Sequence, residues 1–571
     1  MNTPLVTLIN PNKIHPPITP YALDILTTSL EASGFTVEVV DLTFRREDWH
    51  VALREYFRDR RPLLVGVTVR NTDTIYPQEQ RVFLEEHREI IHAVRALSDA
   101  PVVAGGVGFS SMPFALVDYF GIDYGVKGPG EHIICDLARA LADRTDPSLV
   151  PGLLTNRGAG TVVRTPPADG PPALLAAERP VLAAAGFGET RDWQVNRGTA
   201  YRRRGSDPTK VDNLEYYRRG GLGNILTKNG CPFTCSHCVE PDAKGNRFAR
   251  RGIEAVADEM EALTALGVHD LHTTDSEFNL AVANSKALLR EIVRRKDRDH
   301  TSPLHRLRLW IYAQPAPFDE ELAELLAAAG CAGVNLAPDH VRDDLLDGWK
   351  VTGKGTRFYT FDDVVNAVRL THKYHMLSMV EVLLGMPGET RETVRECVER
   401  TMALDATVVG FTLGLRIFPY SPLGMWCAER SAGRVPVPGV QSNTATEPIV
   451  IRTARQCSSP LAYERQFMFE ESGAIRPLYY FSPDLDEDES TLGAANGRWL
   501  RTVEFLWDLI PEHDVPRVML PTAPGLTEHD NNYADNPFLT SLVHLGYKGA
   551  FWSHWRERDQ IMRKAALRGA D

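Results

Sequence analysis

The sequence predicts an α/β protein with a doubly wound parallel sheet first, an open six-stranded β/α partial barrel second, and a mostly helical part last. In the first 145 residues, five strand-like runs alternate with amphipathic helical stretches. Between residues 223 and 416, six further strand-like runs alternate with helical ones, as in an open form of a β/α barrel. After residue 426 the chain is less regular and rich in aromatic and turn residues.

These changes of pattern set the expected domain boundaries. Residues 1–150 form the doubly wound domain, and residues 219–425 form the partial barrel. Residues 151–218 are rich in Pro, Gly and Arg and lack steady periodicity, which is typical of a linker. Residues 426–571 form the C-terminal domain. A chain of 571 residues has the length of about three or four domains.

The strands of the first domain end in loops that are suited to a ligand, because ligands of doubly wound sheets bind at the carboxyl ends of the strands. The predicted strands are 5–10, 35–42, 63–69, 101–106 and 123–128. The candidate binding residues at their carboxyl ends are Asn10 and Pro11, Arg70, Gly105, Gly106 and Gly108, and Gly128, Gly130 and Glu131. Glycines there let a large ligand approach the backbone, or they only form tight turns between strand and helix.

The second series of strands carries the most specific motif of the chain. The strands are predicted at 223–228, 270–276, 306–313, 330–337, 376–385 and 407–416. The motif, GCPFTCSHC (230–238), follows the first of them and places Cys231, Cys235 and Cys238 in a CxxxCxxC spacing. The other five cysteines are scattered singly, and eight in all are too few for a disulfide scaffold.

Three kinds of site need cysteines at such spacing. A structural zinc site has four ligands, but His237 lies between two of the cysteines and no second cluster joins it. A CxxC redox pair leaves Cys231 unexplained. A 4Fe–4S cluster is usually held by four thiolates, so three would leave one iron open to bind a substrate.

Charge and hydropathy exclude other classes of function. The net charge of −12 and a pI near 5.8 argue against a nucleic-acid partner. No apolar run approaches the roughly 18 residues that cross a bilayer. The first residues lack the basic flank and cleavage site of a signal peptide. We therefore expect a cytoplasmic protein without a membrane partner.

The cysteine motif, after the first strand of an open barrel, resembles the radical S-adenosylmethionine (SAM) superfamily. TTDSEFN (273–279), LLGMPGETRETV (383–394) and LRIFPYSPLG (415–424) strengthen the resemblance. The first domain, with its NP entry and its GG and GPGE loops, is similar to the cobalamin-binding domain of one branch. The resemblance implies a 4Fe–4S cluster on Cys231, Cys235 and Cys238, with SAM at the open iron and cobalamin in the first domain.

The resemblance also implies roles in the cobalamin domain. Many such domains carry DxHxxG, whose histidine binds cobalt, but His15, His50, His87 and His92 all lack that context. Cobalamin is therefore expected without this ligand. Arg70 is placed to lie over the corrin, where a cation discourages another cobalt ligand. Alternatively, it only pairs with a polar group of cobalamin.

Four residues are implied near SAM. Asp275 and Glu277 replace the GGE-like stretch that often holds the SAM amino group. Glu277 is expected to bind SAM or the open iron, or only to cap a helix or pair with a nearby arginine. Arg250 or Arg251 is a candidate to pair with the SAM carboxylate.

Three further candidates lie on or after later strands. Tyr312, on the third predicted barrel strand, is a candidate to position substrate or to move a proton, or is a core residue. Gly385 and Pro387 of GMPGET are expected to shape the SAM pocket through backbone contacts, or only to join a strand to a helix.

The function implied is a cobalamin-dependent C-methyltransferase, in which SAM methylates cobalamin and methylcobalamin delivers the methyl group to a substrate carbon. The missing DxHxxG, Arg70 and DSEFN (275–279) resemble most the tryptophan 2-C-methyltransferases of thiopeptide antibiotic biosynthesis. That resemblance implies methylation of indole carbon 2 of L-tryptophan by a polar route, with an external electron donor. The alternatives are a radical methylase of an sp3 carbon in another precursor or peptide, a cobalamin-using cyclase or rearrangement enzyme, and a zinc or cobalamin sensor.

Overall fold

The computed structural model describes residues 3–14, 16–77, 81–166, 209–352, 354–442, 448–485, 497–520 and 537–568. The chain forms two compact units. The first comprises Met1–Asp73, Val82–Cys231 and Glu240–Val268, and the second comprises Thr74–Arg81, Pro232–Val239 and His269–Asp571.

The first unit contains ten described strands and nine described helices. The strands are β1 Leu5–Asn10, β2 Thr36–Asp41, β3 Leu64–Thr68, β4 Val102–Gly105, β5 Tyr124–Val126, β6 Leu153–Asn156, β7 Val162–Arg164, β8 Gly223–Ile225, β9 Lys228–Asn229 and β10 Ala249–Arg250. The helices are α1 Tyr21–Ala32, α2 Trp49–Asp59, α3 Leu84–Leu97, α4 Val107–Ser111, α5 Pro113–Phe120, α6 Glu131–Ala142, α7 Asn213–Arg218, α8 Glu240–Lys244 and α9 Ile253–Ala265.

The main sheet of this unit has the strand order β2-β1-β3-β4-β5-β6-β7. β1 to β5 are parallel, as predicted, because each is followed by a helix that returns the chain to the same edge. Val6 and Leu8 of β1 pack in the core with Leu64 of β3 and with Ile134 and Leu137 of α6. The order reverses at β1 and β3, and the crevice beyond their carboxyl ends is where such sheets bind ligands.

The expectation of a linker from residue 151 is wrong at its start. β6 and β7 pair antiparallel with the edge of the first sheet, so the folded domain continues to Arg164. These strands are short and are surrounded by Gly and Pro. The alternation of apolar and polar residues along them is therefore too brief to predict a strand from the sequence. The middle of the expected linker, 167–208, lies outside the described residues. Its end includes α7, whose first N–H groups are capped by Asp212.

The second unit contains nine described strands and ten described helices. The strands are β11 Asp270–Thr273, β12 Arg308–Ala313, β13 Cys331–Asp339, β14 Leu377–Leu384, β15 Val408–Leu413, β16 Leu415–Arg416, β17 Val440–Gln441, β18 Tyr479–Tyr480 and β19 Val518–Met519. The helices are α10 Val282–Arg298, α11 Glu320–Ala329, α12 Asp343–Trp349, α13 Phe361–Lys373, α14 Arg391–Met402, α15 Pro422–Ser431, α16 Pro460–Arg465, α17 Gly497–Leu509, α18 Pro537–Leu545 and α19 Arg558–Arg568.

The main sheet of this unit is parallel, and its strands here follow the order β19-β15-β14-β13-β12-β11. Five of them are the last five predicted barrel strands. The sequence did not predict β19, which comes from the C-terminal part and extends the sheet beside β15, or the helix α12. Both are too short to show a period in the sequence.

One apolar cluster fills the inner face of this sheet at the level of Trp310. Trp310 packs edge-on against Trp552, with ring centroids 5.6 Å apart. Phe538, Leu542 and Trp555 from the C-terminal part belong to the same buried cluster. Because side chains alternate along a strand, Tyr312 lies on the same face as Trp310, one step nearer the carboxyl end of β12. Of the described helices, none is both long and apolar enough to cross a membrane.

Candidate active site

The carboxyl ends of β1 and β3 carry three of the predicted cobalamin residues. Asn10 ends β1, Pro11 follows it, and Arg70 lies two residues after β3. Arg70 is partly buried, and its Nη1 donates to Asn71 Oδ1 at 2.8 Å. Arg70 therefore follows β3 at the switch point of the sheet, and its contact with cobalamin stays a prediction.

Asn10 stabilises its own loop instead of presenting its amide to a ligand. Its two side-chain N–H groups face three acceptors, each 3.0 Å from the nitrogen: Asp41 Oδ1, Thr43 Oγ1 and the Tyr216 hydroxyl. Tyr216 also donates to Asp41 at 2.7 Å, so the network is closed. We correct the prediction for Asn10, because a buried amide with these partners has little capacity left for a cofactor. Pro11 is buried too.

The glycines after β4 fit against the chain itself. Gly106 has φ +116°, and a Cβ there would lie 2.5 Å from Val69 O. A Cβ on Gly108 would lie 2.9 Å from Arg70 O, and the Gly108 N–H donates to that oxygen at 2.9 Å. These two glycines therefore hold the β4 loop against the end of β3 and position the backbone of Arg70. Gly105 is less confined, because a Cβ there would lie at an ordinary contact distance of 3.5 Å from Val126 O.

The loop after β5 carries the acidic member of the predicted set. Gly128 has φ +81° and Gly130 precedes α6, which Glu131 begins. Glu131 is buried, and burial raises the pKa of its carboxyl to about 7. Its Oε2 has no hydrogen-bond partner among the described residues. A buried acceptor without a partner at this edge fits cobalamin, whose amide side chains can donate to it.

The cysteine loop presents three thiols. Cys231 is buried, while Cys235 and Cys238 are partly exposed. Cys231 lies in the first unit, and its N–H donates to Gly245 O at 2.9 Å. Gly230 before it has φ +94°, and a Cβ there would lie 2.0 Å from Arg247 O. The bend that starts the motif therefore requires glycine.

The rest of the loop is fixed within the second unit by the segment after α12. Ser236 N donates to Trp349 O at 2.8 Å, and Thr234 N donates to Val351 O at 3.0 Å. Phe233 stacks on Phe358 with ring centroids 4.1 Å apart. Cys238 N donates to Cys235 O, which closes a tight turn between these two thiols.

The donor chemistry of the loop fits an iron–sulfur cluster. Its three cysteines can each supply a thiolate to a different iron, which leaves the fourth iron of a 4Fe–4S cluster open. Within the described ranges, no group of three His, Cys, Asp or Glu side chains that could hold a single metal ion is found.

The segment after β11 carries the two predicted acids. Asp275 is buried. Glu277 is partly buried, and its Oε1 accepts a hydrogen bond from Gln314 Nε2 at 2.7 Å. Gln314 is held in turn, since its N–H donates to Asn279 Oδ1 at 2.9 Å. Glu277 therefore has a fixed position, and Gln314 is a supporting residue that no sequence motif marks.

The prediction that Arg250 or Arg251 binds the SAM carboxylate is wrong for Arg251. Its side chain is fully buried, with Nη2 2.7 Å from Glu259 Oε2. Nη1 donates to Leu226 O at 2.7 Å and to the Tyr21 hydroxyl at 3.0 Å. A guanidinium held by these bonds is not available to a ligand. Arg250 is exposed, so its role stays a prediction.

A polar layer lies on the sheet above the apolar cluster. Tyr312 is 39% exposed, and its ring contacts His272 edge-on at 5.0 Å between centroids. Tyr312 pairs in register with Asn335 of β13, whose Nδ2 donates to Glu381 Oε2 of β14 at 3.0 Å. Burial raises the pKa of Glu381. Of these residues only Tyr312 is predicted from the sequence, because single polar residues within apolar strands have no distinctive spacing.

His272 is neutral at physiological pH. Burial lowers its pKa to about 4. Its Nδ1 lies 2.7 Å from Thr273 O. A carbonyl only accepts, so Nδ1 carries the proton and Nε2 is the acceptor.

The GMPGET loop is fixed by its own glutamate. Glu389 Oε2 accepts from Gly385 N at 2.5 Å and Met386 N at 2.6 Å, and its Oε1 lies 3.0 Å from His340 Nε2. Gly385 has φ +103°, which only glycine adopts easily. The loop is therefore rigid, and contacts of Gly385 and Pro387 with SAM stay a prediction.

Comparisons with known proteins agree with this geometry. Residues 9–138 match the B12 binding domain, and residues 225–401 match the radical SAM superfamily. The chain is 62% identical to the tryptophan 2-C-methyltransferase of Streptomyces laurentii, covering 98% of this chain and 97% of that protein.

Solved structures give the same result. The radical S-adenosylmethionine methyltransferase TsrM of Kitasatospora setae, with cobalamin and a 4Fe–4S cluster bound, has a TM-score of 0.91 and 58% identity, covering 100% of both chains. A second TsrM structure, with tryptophan substrate and a SAM analogue bound, has a TM-score of 0.89 over 99% of this chain and 100% of that one. OxsB shares the fold at a TM-score of 0.54 and 15% identity, covering 71% of this chain and 52% of that one.

Proposed function

The chain belongs to the family of the tryptophan 2-C-methyltransferases, cobalamin-dependent members of the radical SAM superfamily, and we propose that it methylates carbon 2 of the indole ring of L-tryptophan. The observation that carries the proposal is the 62% identity over 98% of the chain, because it spans both the cobalamin domain and the barrel. When bound, cobalamin carries the methyl group between SAM and the substrate carbon.

The residues of the cysteine loop hold the cluster. Cys231, Cys235 and Cys238 supply its three thiolates, and the backbone bonds of Thr234 and Ser236 fix the loop that presents them. Glu277 lies on a separate loop, fixed by Gln314, and provides a carboxylate for SAM or for the open iron. Its hydrogen bond restricts it to one orientation, as a ligand at a defined position needs.

The residues of the first unit bind cobalamin and orient it. Arg70 provides a cation at the crevice beyond β1 and β3, and Gly106 and Gly108 fix the backbone on which it is carried. Glu131 provides a buried acceptor at the next loop. No histidine occurs in a DxHxxG context, so the chain offers no cobalt ligand of that motif.

The polar layer of the barrel binds the indole. Trp310 and its apolar cluster form a floor on which an aromatic ring can pack, and Tyr312 and Glu381 are polar groups above it. Tyr312, whose side chain is partly exposed, orients the indole N–H through its hydroxyl. The neutral His272 beside it supplies an acceptor for the proton that leaves the ring. Indole is electron-rich, so carbon 2 accepts a methyl cation equivalent without hydrogen abstraction.

The test is an anaerobic reaction of the reconstituted chain with methyl-deuterated SAM, cobalamin, L-tryptophan and an external electron donor. The proposal expects deuterated methyl on carbon 2, located by NMR, without matching 5′-deoxyadenosine. A methylated product with an equal amount of 5′-deoxyadenosine would contradict the polar route. Labelled cobalamin without labelled tryptophan would contradict the substrate.

A further inference from the structure

A buried ion pair lies beside the cysteine loop and has no part in the function proposed above. Lys350 Nζ is 2.9 Å from Asp339 Oδ2, with side-chain exposures of only 5% and 9%. Lys350 also donates to Ala337 O at 2.9 Å. Burying two charges is unfavourable unless their surroundings compensate, so such a pair needs an explanation beyond packing.

The backbone ties Lys350 to the cysteine loop. Its two chain neighbours, Trp349 and Val351, accept the hydrogen bonds of Ser236 N and Thr234 N at 2.8 and 3.0 Å. Thr234 and Ser236 flank Cys235 in the sequence. The position of the ammonium is therefore coupled to the loop that carries this thiol.

The charges around Lys350 are those of the candidate active site. Burial by itself lowers the pKa of Lys350, but Asp339, Tyr359, Cys235 and Glu277 together raise it well above its ordinary value. The Asp339 carboxylate 2.9 Å away favours the charged form of Lys350, and Cys235 and Glu277 are near enough to interact with that charge. The Cys235 thiolate and the Glu277 carboxylate bring negative charge to this part of the second unit when they are ionised, and a buried cation offsets it.

The backbone of Asp339 is adapted to this pair. Asp339 has φ +59°, in the left-handed region that few non-glycine residues adopt. The register of β13 with β14 shifts between Leu336 and Asp339. The end of the strand therefore departs from regular geometry at the residue whose carboxylate meets Lys350.

We propose that Lys350 is an electrostatic positioning residue of the iron–sulfur centre, which favours its reduced form, and that Asp339 opposes this effect. Reduction adds one electron to the cluster, and a nearby cation stabilises the more negative product, whereas a nearby carboxylate destabilises it. The inference requires the cluster of the proposed function but does not depend on tryptophan as the substrate.

A purely mechanical role for the pair makes a different prediction. If the pair only held the loop, then removal of either charge would break the same contact and disturb the cluster in the same direction. If the charges act on the cluster, the two removals shift its reduction potential in opposite directions. The sign of the shift thus separates the two roles.

The experiment is a redox titration of the anaerobically reconstituted full-length chain, with the reduced cluster followed by electron paramagnetic resonance. K350M is expected to make reduction roughly tenfold less favourable, a shift of about 59 mV for one electron. D339N is expected to shift the reduction potential in the opposite direction, so that reduction of the cluster becomes easier. K350R keeps the positive charge. Its equilibrium constant for reduction of the cluster is therefore expected to remain within about threefold of that of the parent chain.

The matched control is K286M. Lys286 is also a largely buried lysine, 12% exposed, and it pairs with Asp319 and Glu321 at 2.6 and 2.8 Å. This variant breaks a comparable pair and is expected to leave the potential unchanged.

Iron and sulfide contents are measured on every variant. Shifts in the same direction for K350M and D339N, or no shift in either, would overturn the inference. If K350M loses its cluster, the sign for D339N decides: easier reduction supports the inference, and unchanged or harder reduction overturns it. A parent chain that binds no iron and sulfide would instead contradict the cluster of the proposed function.

Discussion

At the scale of single residues, buried polar groups divide into those with protein partners and those without one among the described residues. Arg251 and Asn10 looked like binding residues in the sequence, yet both are enclosed by protein partners. Sequence position cannot distinguish these cases, because their partners come from distant segments: Tyr216 for Asn10 and Tyr21 for Arg251. Glu131 shows the opposite behaviour, with a buried oxygen that has no partner among the described residues.

Glu131 gives a pH-dependent prediction. Its pKa is raised from 4.5 to about 7 by burial, so the folded chain binds this proton more tightly than the unfolded chain. The contribution of the protonated Glu131 carboxyl to the free energy of unfolding is complete below pH 4.5 and is lost as pH rises through 7. Each pKa unit corresponds to about 1.4 kcal/mol, so the loss amounts to about 3 kcal/mol. E131Q removes this ionisation and should be more stable than the parent chain at pH 8.

Urea unfolding followed by circular dichroism, without added cobalamin, measures this difference between pH 5 and pH 8. E254Q is the control, because Glu254 is an exposed glutamate on a helix of the same unit. Equal pH slopes for E131Q and the parent chain would show that Glu131 is not the titrating group.

At the scale of elements, the strands were predictable and the short irregular segments were not. β1 matches its predicted bounds, 5–10, because apolar and β-branched residues mark it clearly. β6, β7 and α12 are too short for a hydrophobic period, so only tertiary pairing reveals them. The role of the glycines after β4 also required the structure, since their close contacts are with β3.

Gly106 gives a prediction at this scale. G106A should destabilise the first unit by about 1–3 kcal/mol and weaken cobalamin binding, because its Cβ would meet Val69 O at 2.5 Å. G121A is the matched control: Gly121 has φ +62°, but a Cβ there has nothing within 4 Å. Urea unfolding and the cobalamin retained after gel filtration measure both effects. If the two variants behaved alike, positive φ would account for the effect without the clash.

At the scale of the whole molecule, the sequence predicted both α/β folds and their cofactors. The cysteine spacing and the strand-end loops identified the family, because cluster and cobalamin chemistry restrict residue types at fixed spacing. The polar layer of Asn335 and Glu381 and the Lys350 pair were not predictable, since their members are brought together only by the barrel. Family motifs thus identify the cofactors, and folded geometry identifies their surroundings.

Passage of the methyl group to tryptophan by way of cobalamin can be measured with a label in the first turnover. The chain is loaded with cobalamin that carries a trideuterated methyl group, then mixed anaerobically with unlabelled SAM and L-tryptophan. Mass spectrometry follows the product at successive turnovers. We expect the first equivalent of 2-methyltryptophan to carry the deuterated methyl group and later equivalents to carry the unlabelled one. A first equivalent with only unlabelled methyl would contradict it, because the methyl group would then have bypassed the bound cobalamin.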